Sequence, residues 1–424
     1  MMSESTRQRG LRAWFIPALA TTLMLFPAWW AFPRGLGLLR SWSILSGWLA
    51  CGLLLASLLL MIREPRLDEW LGGLQRMYLW HHRTGLIAYL LLLTHPLALA
   101  ASVWHESPST AWAGISPWTG GAAVMTGWAS LLLMMAGLAV TFTPRIPYTA
   151  WRRLHHLLSA SIVAGAVHLL QLGLPPALLW VPTLAMLFLF WRFLRADRGL
   201  GALPYIVVGA TRLAGATTEV RLRPLAHALQ AREGQFVLAA FLDGGHYHGC
   251  REYHPFTVSS TDQDGAIVLA IKALGDCTKA LQSVEAGVSV RLQGPFGTFL
   301  DREPEAPGLW IAGGIGITPF IAVLRCRTLR FPVRLLYLYR THDEALYLDE
   351  LEGLARENPL LRIERLETGD GTPDLRAILP AAQALHGVEC YICGPMTMAA
   401  TATALLRERG VVPGNIHFEQ FDFR

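Results

Sequence analysis

The chain has 424 residues, 53% of them apolar, and a formal net charge of +5. That length allows two or three domains, and the apolar share exceeds that of an ordinary soluble globule. Residues 1–200 hold 15 Arg, no Lys and 6 acids, whereas residues 201–424 hold 21 bases and 25 acids, so the positive charge belongs to loops flanking a membrane and not to a nucleic-acid-binding face.

Six apolar segments of bilayer-spanning length follow in chain order, near residues 12–32, 41–62, 79–103, 121–142, 153–173 and 176–195. Arginines mark one side: Arg7, Arg9 and Arg12 before the first segment, Arg63, Arg66 and Arg76 after the second, Arg145, Arg152 and Arg153 after the fourth, and Arg192, Arg195 and Arg198 at the end of the sixth. The loop WHESPSTAWAGISPWTG after the third has none. Arg34 and Arg40 break the pattern mildly. The positive-inside rule then puts both termini in the cytoplasm, and Trp104, Trp112 and Trp118 at the outer interface.

Two of these segments carry histidines at both ends. His81 and His95 are 14 residues apart, which on a helix leaves them about 40° from one face and about 21 Å apart along the axis. His155 and His168 are 13 apart, or about 140° off a common face, so that helix must tighten, bend or tilt. Both helices start from the cytoplasmic side, which pairs His81 with His155 inside and His95 with His168 outside. Ionisable groups in a span are costly and functional. Two stacked haems, each held by one histidine from either helix, account for four of them, because imidazole is a common haem ligand. Zinc, which needs its ligands to converge on one point, accounts for them poorly. His82 and His156 stand as rivals for the inner ligand positions.

After a linker at 196–204, six short alternating runs (YIVVGATRL, TTEVRLRPL, GQFVLAAFL, PFTVSS, AIVLAIKAL and SVRLQG) predict an antiparallel β-barrel. From residue 309 the pattern turns to strand, Gly-rich turn, helix (LWIAGGIGITPFIAVL), then VRLLYLYR and VECYICGP, each followed by a helix. That is a parallel α/β nucleotide-binding domain. The expected domains are thus a transmembrane di-haem domain over 1–195, a barrel over 205–304 and an α/β domain over 305–424. Arg340 follows the second strand, where such a fold reads the adenosine ribose, and favours NADPH over NADH, although Asp343 and Glu344 stand close. Six scattered cysteines suggest no disulfide framework. Cys390 and Cys393 form a CxxC with no second pair, so no metal is expected there.

The soluble half resembles the ferredoxin–NADP reductase superfamily. The whole chain, from the second segment onward, resembles the ferric reductase and NADPH oxidase family of membrane flavocytochromes b. Five segments in the family's order carry the resemblance. HPFTVSS implies that His254, Pro255, Phe256 and Thr257 flank FAD, with Thr257 near the ring. KALGDCT implies that Lys272, Gly275, Asp276 and Thr278 hold the FAD phosphates. GPFGTF, with Gly294 and Gly297, is similar to the turn between the two lobes. GGIGITP, with Gly313, Gly314, Gly316, Thr318 and Pro319, is similar to the NADPH pyrophosphate turn. YICGP implies that Cys393, Gly394 and Pro395 lie beside the nicotinamide. Near the end of FEQFDFR, Phe423 resembles the aromatic that covers the flavin, with Phe421 as its rival.

The resemblance implies that NADPH reduces FAD, that single electrons then cross the bilayer through two haem b groups, and that an outer acceptor takes them. Oxygen, a ferric chelate and an extracytoplasmic protein are the three acceptors in view. No calcium-loop spacing and no N-x-[ST] site occur, and a bacterial inner membrane is the expected location.

Overall fold

Long apolar runs fold as helices in a bilayer because every backbone polar group must be satisfied within the segment. In the computed structural model, which describes residues 14–30, 32–143, 145–300 and 305–419, they do so. The helices of the first half are α1 (Phe15–Trp30), α2 (Leu38–Leu60), α3 (Pro65–Leu71), α4 (Leu74–Trp104), α5 (Pro108–Ile115), α6 (Gly121–Thr141), α7 (Tyr148–Gln171) and α8 (Trp180–Arg192). Among the described residues, five helical stretches are long and apolar enough to cross a membrane: α2, α4, α6, α7 and the run Pro176–Asp197 that contains α8. The expected first span forms a shorter helix, the 16-residue α1, so six crossings are not established. Arg7, Arg9 and Arg12 lie outside the described residues.

The chain divides into two compact units. Among the described residues, one contains 14–63 and 76–200, and the other contains 64–75 and 201–419. The segment carrying α3, which runs between two membrane helices in sequence, therefore belongs with the soluble half. The last membrane helix continues as a wider turn to Asp197 and β1 starts at Leu203, so the connection is shorter than residues 196–204.

In the second unit β1 (Leu203–Leu213), β2 (Thr217–Pro224), β3 (Phe236–Phe241), β4 (His254–Thr261), β5 (Ile267–Lys272) and β6 (Ser289–Phe296) close a barrel in the order β1-β2-β5-β4-β3-β6. Its alternate residues, among them Val220, Leu222, Val237, Ile271 and Leu292, fill the interior. Helix α9 (Asp276–Ala280) follows β5. Next come β7 (Gly308–Gly313), α10 (Thr318–Cys326), β8 (Val333–Tyr339), α11 (Leu348–Glu357), β9 (Leu361–Glu367), α12 (Leu375–Ile378), β10 (Glu389–Cys393), α13 (Met396–Glu408) and β11 (Ile416–Glu419). Their five strands form a parallel sheet in the order β11-β10-β7-β8-β9. Apolar clusters cover both its faces, as a parallel sheet requires.

Barrel and sheet are tied by Arg325 on α10. Its guanidinium forms a two-pronged pair with Glu350 at 2.6 and 2.8 Å and donates to the Ser259 carbonyl of β4 at 3.2 Å. Tyr347 lies under the guanidinium and donates its hydroxyl to Glu219 of β2 at 2.9 Å.

Candidate functional site

In the membrane unit the four predicted histidines share one arrangement. His81 and His95 on α4 both lean on α2: His81 Nδ1 meets the Ser57 hydroxyl at 2.7 Å and the Ser57 carbonyl at 3.2 Å, and His95 Nδ1 meets the Ser43 carbonyl at 2.7 Å. His155 and His168 on α7 both lean on α6, through the Thr141 hydroxyl at 3.1 Å and the Ala123 carbonyl at 2.7 Å. A carbonyl only accepts, so Nδ1 carries the hydrogen in His81, His95 and His168. Thr141 spends its own hydrogen on the Gly137 carbonyl at 2.8 Å, so it too accepts from the imidazole. In all four rings Nε2 keeps its lone pair. Metal-ligating histidines are oriented in this way, with the second ring nitrogen donating to a fixed oxygen.

The expected mismatch between His155 and His168 is absorbed without a break, since α7 is one continuous helix. The two rings reach opposite ends of α6. Between them, Ser130 and Ser161 exchange hydroxyl-to-carbonyl bonds at 2.9 and 2.8 Å, drawing α6 and α7 together. Small residues make this approach feasible, as in other membrane helix pairs: a Cβ on Gly137 would stand 2.6 Å from Leu158.

His95 and His168 line one cavity of about 490 Å³, walled chiefly by apolar side chains such as Leu54, Leu131, Met134 and Ile162. Glycines face both rings: a Cβ on Gly47 would lie 3.1 Å from His95 Nδ1, and one on Gly127 would lie 3.1 Å from His168 Nδ1. His81 and His155 lie within electrostatic reach of one another, with Arg192 acting on both. His82 stacks at a tilt on His81, 5.6 Å between ring centres, and Trp151 stacks on His155 at 4.9 Å. An apolar cavity lined by two imidazoles, each with Nδ1 held on a carbonyl and Nε2 left with its lone pair, suits a haem.

In the dehydrogenase unit the predicted segments converge. Thr257 is buried on β4 and pairs across the ladder with Phe236. Phe236 packs against Gly297, where a Cβ would come within 3.0 Å of its ring and 3.2 Å of Glu419 Oε1. Glu419 is the ladder neighbour of Cys393. A Cβ on Gly316 would strike the Cys393 carbonyl at 2.2 Å, and one on Gly394 would come within 3.0 Å of Gly313. Side chains are thus excluded where strand end meets turn. Gly314 has φ +54° and open space beside it, as close approach of a ligand's phosphate demands. Thr318 and Pro319 open α10 behind this turn, the Thr318 hydroxyl donating to the Ile315 carbonyl at 3.0 Å.

Other predicted residues are engaged within the protein. The Thr278 hydroxyl accepts from the Leu274 and Gly275 amides, both at 2.9 Å, and so shapes the turn that Asp276 follows. Lys272 Nζ lies 3.2 Å from Glu344. Arg340 is 60% exposed and 3.7 Å from both Glu344 and Asp370. Pro255 faces Leu238 across the β3–β4 ladder, and Phe256 meets Phe241 edge-on. Gly294 precedes a cis Pro295, and Pro395 caps α13. His254 turns Nε2 toward Cys250 Sγ at 3.6 Å. Phe423 and Phe421 lie outside the described residues.

Cys390 and Cys393, three residues apart on β10, point into opposite cores. Burial and the Glu419 carboxyl push the Cys393 thiol well up. Glu419, which the sequence reading missed, is 6% exposed. Burial and the nearby Asp68 raise its carboxyl well above the usual range. Nothing in a lone Glu near a chain end signals this; only the parallel pairing of β11 with β10 brings it to Cys393.

Comparison with known proteins agrees with this architecture. Residues 46–166 match the family model "Ferric reductase like transmembrane component", residues 209–299 an FAD-binding domain and residues 310–404 an oxidoreductase NAD-binding domain. The toluate 1,2-dioxygenase electron transfer component of Pseudomonas putida is 30% identical over 46% of this chain and 62% of its own length. Ferredoxin–NADP reductase B of Sorangium cellulosum is 31% identical over 35% of this chain and 68% of its own. The reductase component of the naphthalene 1,2-dioxygenase/salicylate 5-hydroxylase systems of a Ralstonia species is 27% identical over 50% and 67%. The chain therefore spans about two thirds of the length of these relatives. Fold and site together define a multi-pass membrane oxidoreductase that is NAD(P)H-dependent and binds FAD. The chain joins a ferric reductase-like transmembrane component to FAD- and NAD-binding domains, the ferric reductase/NADPH oxidase-like architecture, and its second half belongs with the ferredoxin–NADP reductases.

Proposed function

We propose that this protein carries electrons from NADPH across a bacterial inner membrane to oxygen on the outer side, as a superoxide-forming oxidase with both termini in the cytoplasm. FAD and two haem b groups would supply, when bound, the conversion of hydride from NADPH into single electrons that can cross the bilayer. His81 and His155 are the inner ligands and His95 and His168 the outer ones. The observation that carries this reading is the shared pinning of all four Nδ1 atoms on α2 and α6, which aims each Nε2 away from its support. With an imidazole from α4 and one from α7 holding each group, the acceptor would take electrons without binding iron.

In the soluble half, Gly313, Gly314 and Gly316 admit the NADPH pyrophosphate, while Gly394 and Pro395 shape the floor beneath the nicotinamide next to Cys393. Arg340 is exposed enough to meet a 2′-phosphate in place of Glu344 and Asp370. Gly275, Asp276 and Thr278 form the turn for the FAD phosphates, with Lys272 beside it. His254 to Thr257 line the flavin, and Phe423 covers it. Gly294 and Gly297 form the turn between the lobes.

The description of the transmembrane family favours a second reading, in which a ferric chelate takes the electrons. Purified protein with NADPH and FAD separates the two. Cytochrome c reduction that needs oxygen and is abolished by superoxide dismutase supports the oxidase. Turnover only with ferric chelates overturns it in favour of the metalloreductase. NADPH oxidation that reaches neither acceptor points to an extracytoplasmic protein partner instead.

A further inference from the structure

Arg340 and Glu344 follow β8, where a nucleotide-binding fold reads the adenosine ribose, and they ask for opposite ligands. An arginine there suits the 2′-phosphate of NADPH, and an acid suits the free 2′-hydroxyl of NADH. The FAD-binding barrel holds Glu344 in two ways. The turn between β1 and β2 presses on its main chain: the Gly215 amide donates to the Asp343 carbonyl at 3.0 Å, and a Cβ on Gly215, at φ +59°, would stand 3.0 Å from Glu344 Cα. Lys272, the last residue of β5, donates from Nζ to Glu344 Oε2 at 3.2 Å. The other carboxylate oxygen, Oε1, lies 3.7 Å from Arg340, too far for a hydrogen bond. Glu344 thus stands between a lysine of the barrel and an arginine of the sheet domain. Lys272 and Glu344 are 25% and 28% exposed, whereas Arg340 is 60% exposed. The shorter and less solvated contact is the stronger one, so the carboxylate is committed to Lys272, and Arg340 keeps most of its charge for a ligand.

We propose that Lys272 is a positioning residue for nucleotide choice: by holding Glu344 it leaves Arg340 to the 2′-phosphate, and so makes the site prefer NADPH. The inference rests on the reading of Arg340 as the ribose contact, and not on the identity of the electron acceptor. Without Lys272, Glu344 turns wholly to Arg340. There its carboxylate neutralises the guanidinium, repels a phosphate and accepts from the 2′-hydroxyl of NADH. The lobe that binds FAD thereby sets which dinucleotide docks on the other lobe. Lys272 touches neither dinucleotide in this scheme and acts through the carboxylate alone.

The test uses the full chain loaded with haem and FAD, with ferricyanide as the electron acceptor. The quantity read is the ratio of kcat/KM for NADPH to that for NADH, with flavin content per chain measured beside it. Glu344→Gln should raise the ratio by about five- to tenfold, and Lys272→Met should lower it by about the same factor, through KM and not kcat. Lys272→Arg should restore it. Lys272→Met added to Glu344→Gln should match Glu344→Gln alone within about twofold, because the lysine has no other route to the nucleotide. A ratio unmoved by either single variant overturns the inference, including the case in which Lys272→Met loses flavin and slows both dinucleotides equally. A Lys272→Met effect that persists in the Glu344→Gln background overturns it as well. Arg340→Ala separates this failure from failure of the ribose reading. A loss confined to NADPH upholds that reading, and the inference then stands or falls on the other variants. An equal loss with both dinucleotides overturns reading and inference together.

Discussion

Asp68 and Gly297 are 229 residues apart in the chain and joined by one hydrogen bond: the Gly297 amide donates to Asp68 Oδ2 at 3.0 Å, in a buried setting. Asp68 belongs to α3, whose segment falls between two membrane helices in sequence but packs with the barrel. Gly297 in turn touches Phe236 and Glu419. Asp68→Ala leaves a buried amide without its acceptor and should cost about 1–3 kcal/mol. Asp68→Asn, which still offers an oxygen, should recover most of it. Thermal unfolding followed by flavin fluorescence measures both, and equal midpoints for wild type and Asp68→Ala would rule the contact out as a stabilising one.

Each of the four pinned histidines should be needed for one haem. Ala at His81, His95, His155 or His168 should lower the haem count from two per chain to one, read by pyridine haemochrome. Ala at His82 or His156 should leave two. Loss of haem in His82→Ala but not in His81→Ala would move the inner ligand by one residue.

Gly127 gives the His168 ring its room. Even a Cβ there would sit 3.1 Å from His168 Nδ1, closer than packed carbons ordinarily approach. Gly127→Val should displace the ring, remove the outer haem and leave the inner one. A two-haem spectrum in this variant would show that the ring has room to move.

The buried carboxyl of Glu419 gives stability a pH dependence. With its ionisation raised by burial and by Asp68, the folded chain keeps a proton that the unfolded chain loses above about pH 4.3. Stability contributed by this group is therefore present below that pH and is lost as pH rises toward the folded value, by up to about 1.4 kcal/mol per unit. Glu419→Gln, neutral throughout, should gain on the wild type as pH is raised from about 5 to about 8. Parallel melting profiles across that range would mean that the carboxyl ionises normally.

Arg340 should set the preference between the two nicotinamide dinucleotides. A charge-assisted bond to a 2′-phosphate contributes about 1.5–3 kcal/mol, so Arg340→Ala should raise KM for NADPH by about 10–100-fold and change that for NADH little. Equal effects on both would place this arginine outside the ribose pocket.

The strands of the barrel were legible in the sequence as short apolar-rich runs between Gly and Pro breaks, and YIVVGATRL and TTEVRLRPL became β1 and β2 almost residue for residue, although β3 is buried along its whole length and does not alternate. The Gly-rich turn at 313–319 was equally plain. Helix α3 was not: PRLDEWL is seven residues long and mixes charged with apolar side chains, too short for a period to show. The contacts of Asp68, the burial of Glu419 and the meeting of Lys272 with Glu344 depend on long-range closure of the barrel and sheet, which no local pattern encodes. The angular conflict between His155 and His168 came from treating α7 as an isolated ideal cylinder. Its neighbour α6 supplies an acceptor at each end, and the packing of the two helices settles the direction of both rings.

The oxygens that steady the imidazoles differ in a way that bears on how the two ends of the bundle tolerate sequence drift. His95 and His168 rest on main-chain carbonyls, of Ser43 and Ala123, which survive replacement of either side chain. His155 rests on the hydroxyl of Thr141, and His81 leans most closely on that of Ser57. Replacing Thr141 removes the first of these supports, whereas the Ser57 carbonyl, 3.2 Å from His81 Nδ1, stays whatever the side chain. The supports of His95 and His168 thus outlast side-chain replacement, whereas that of His155 does not.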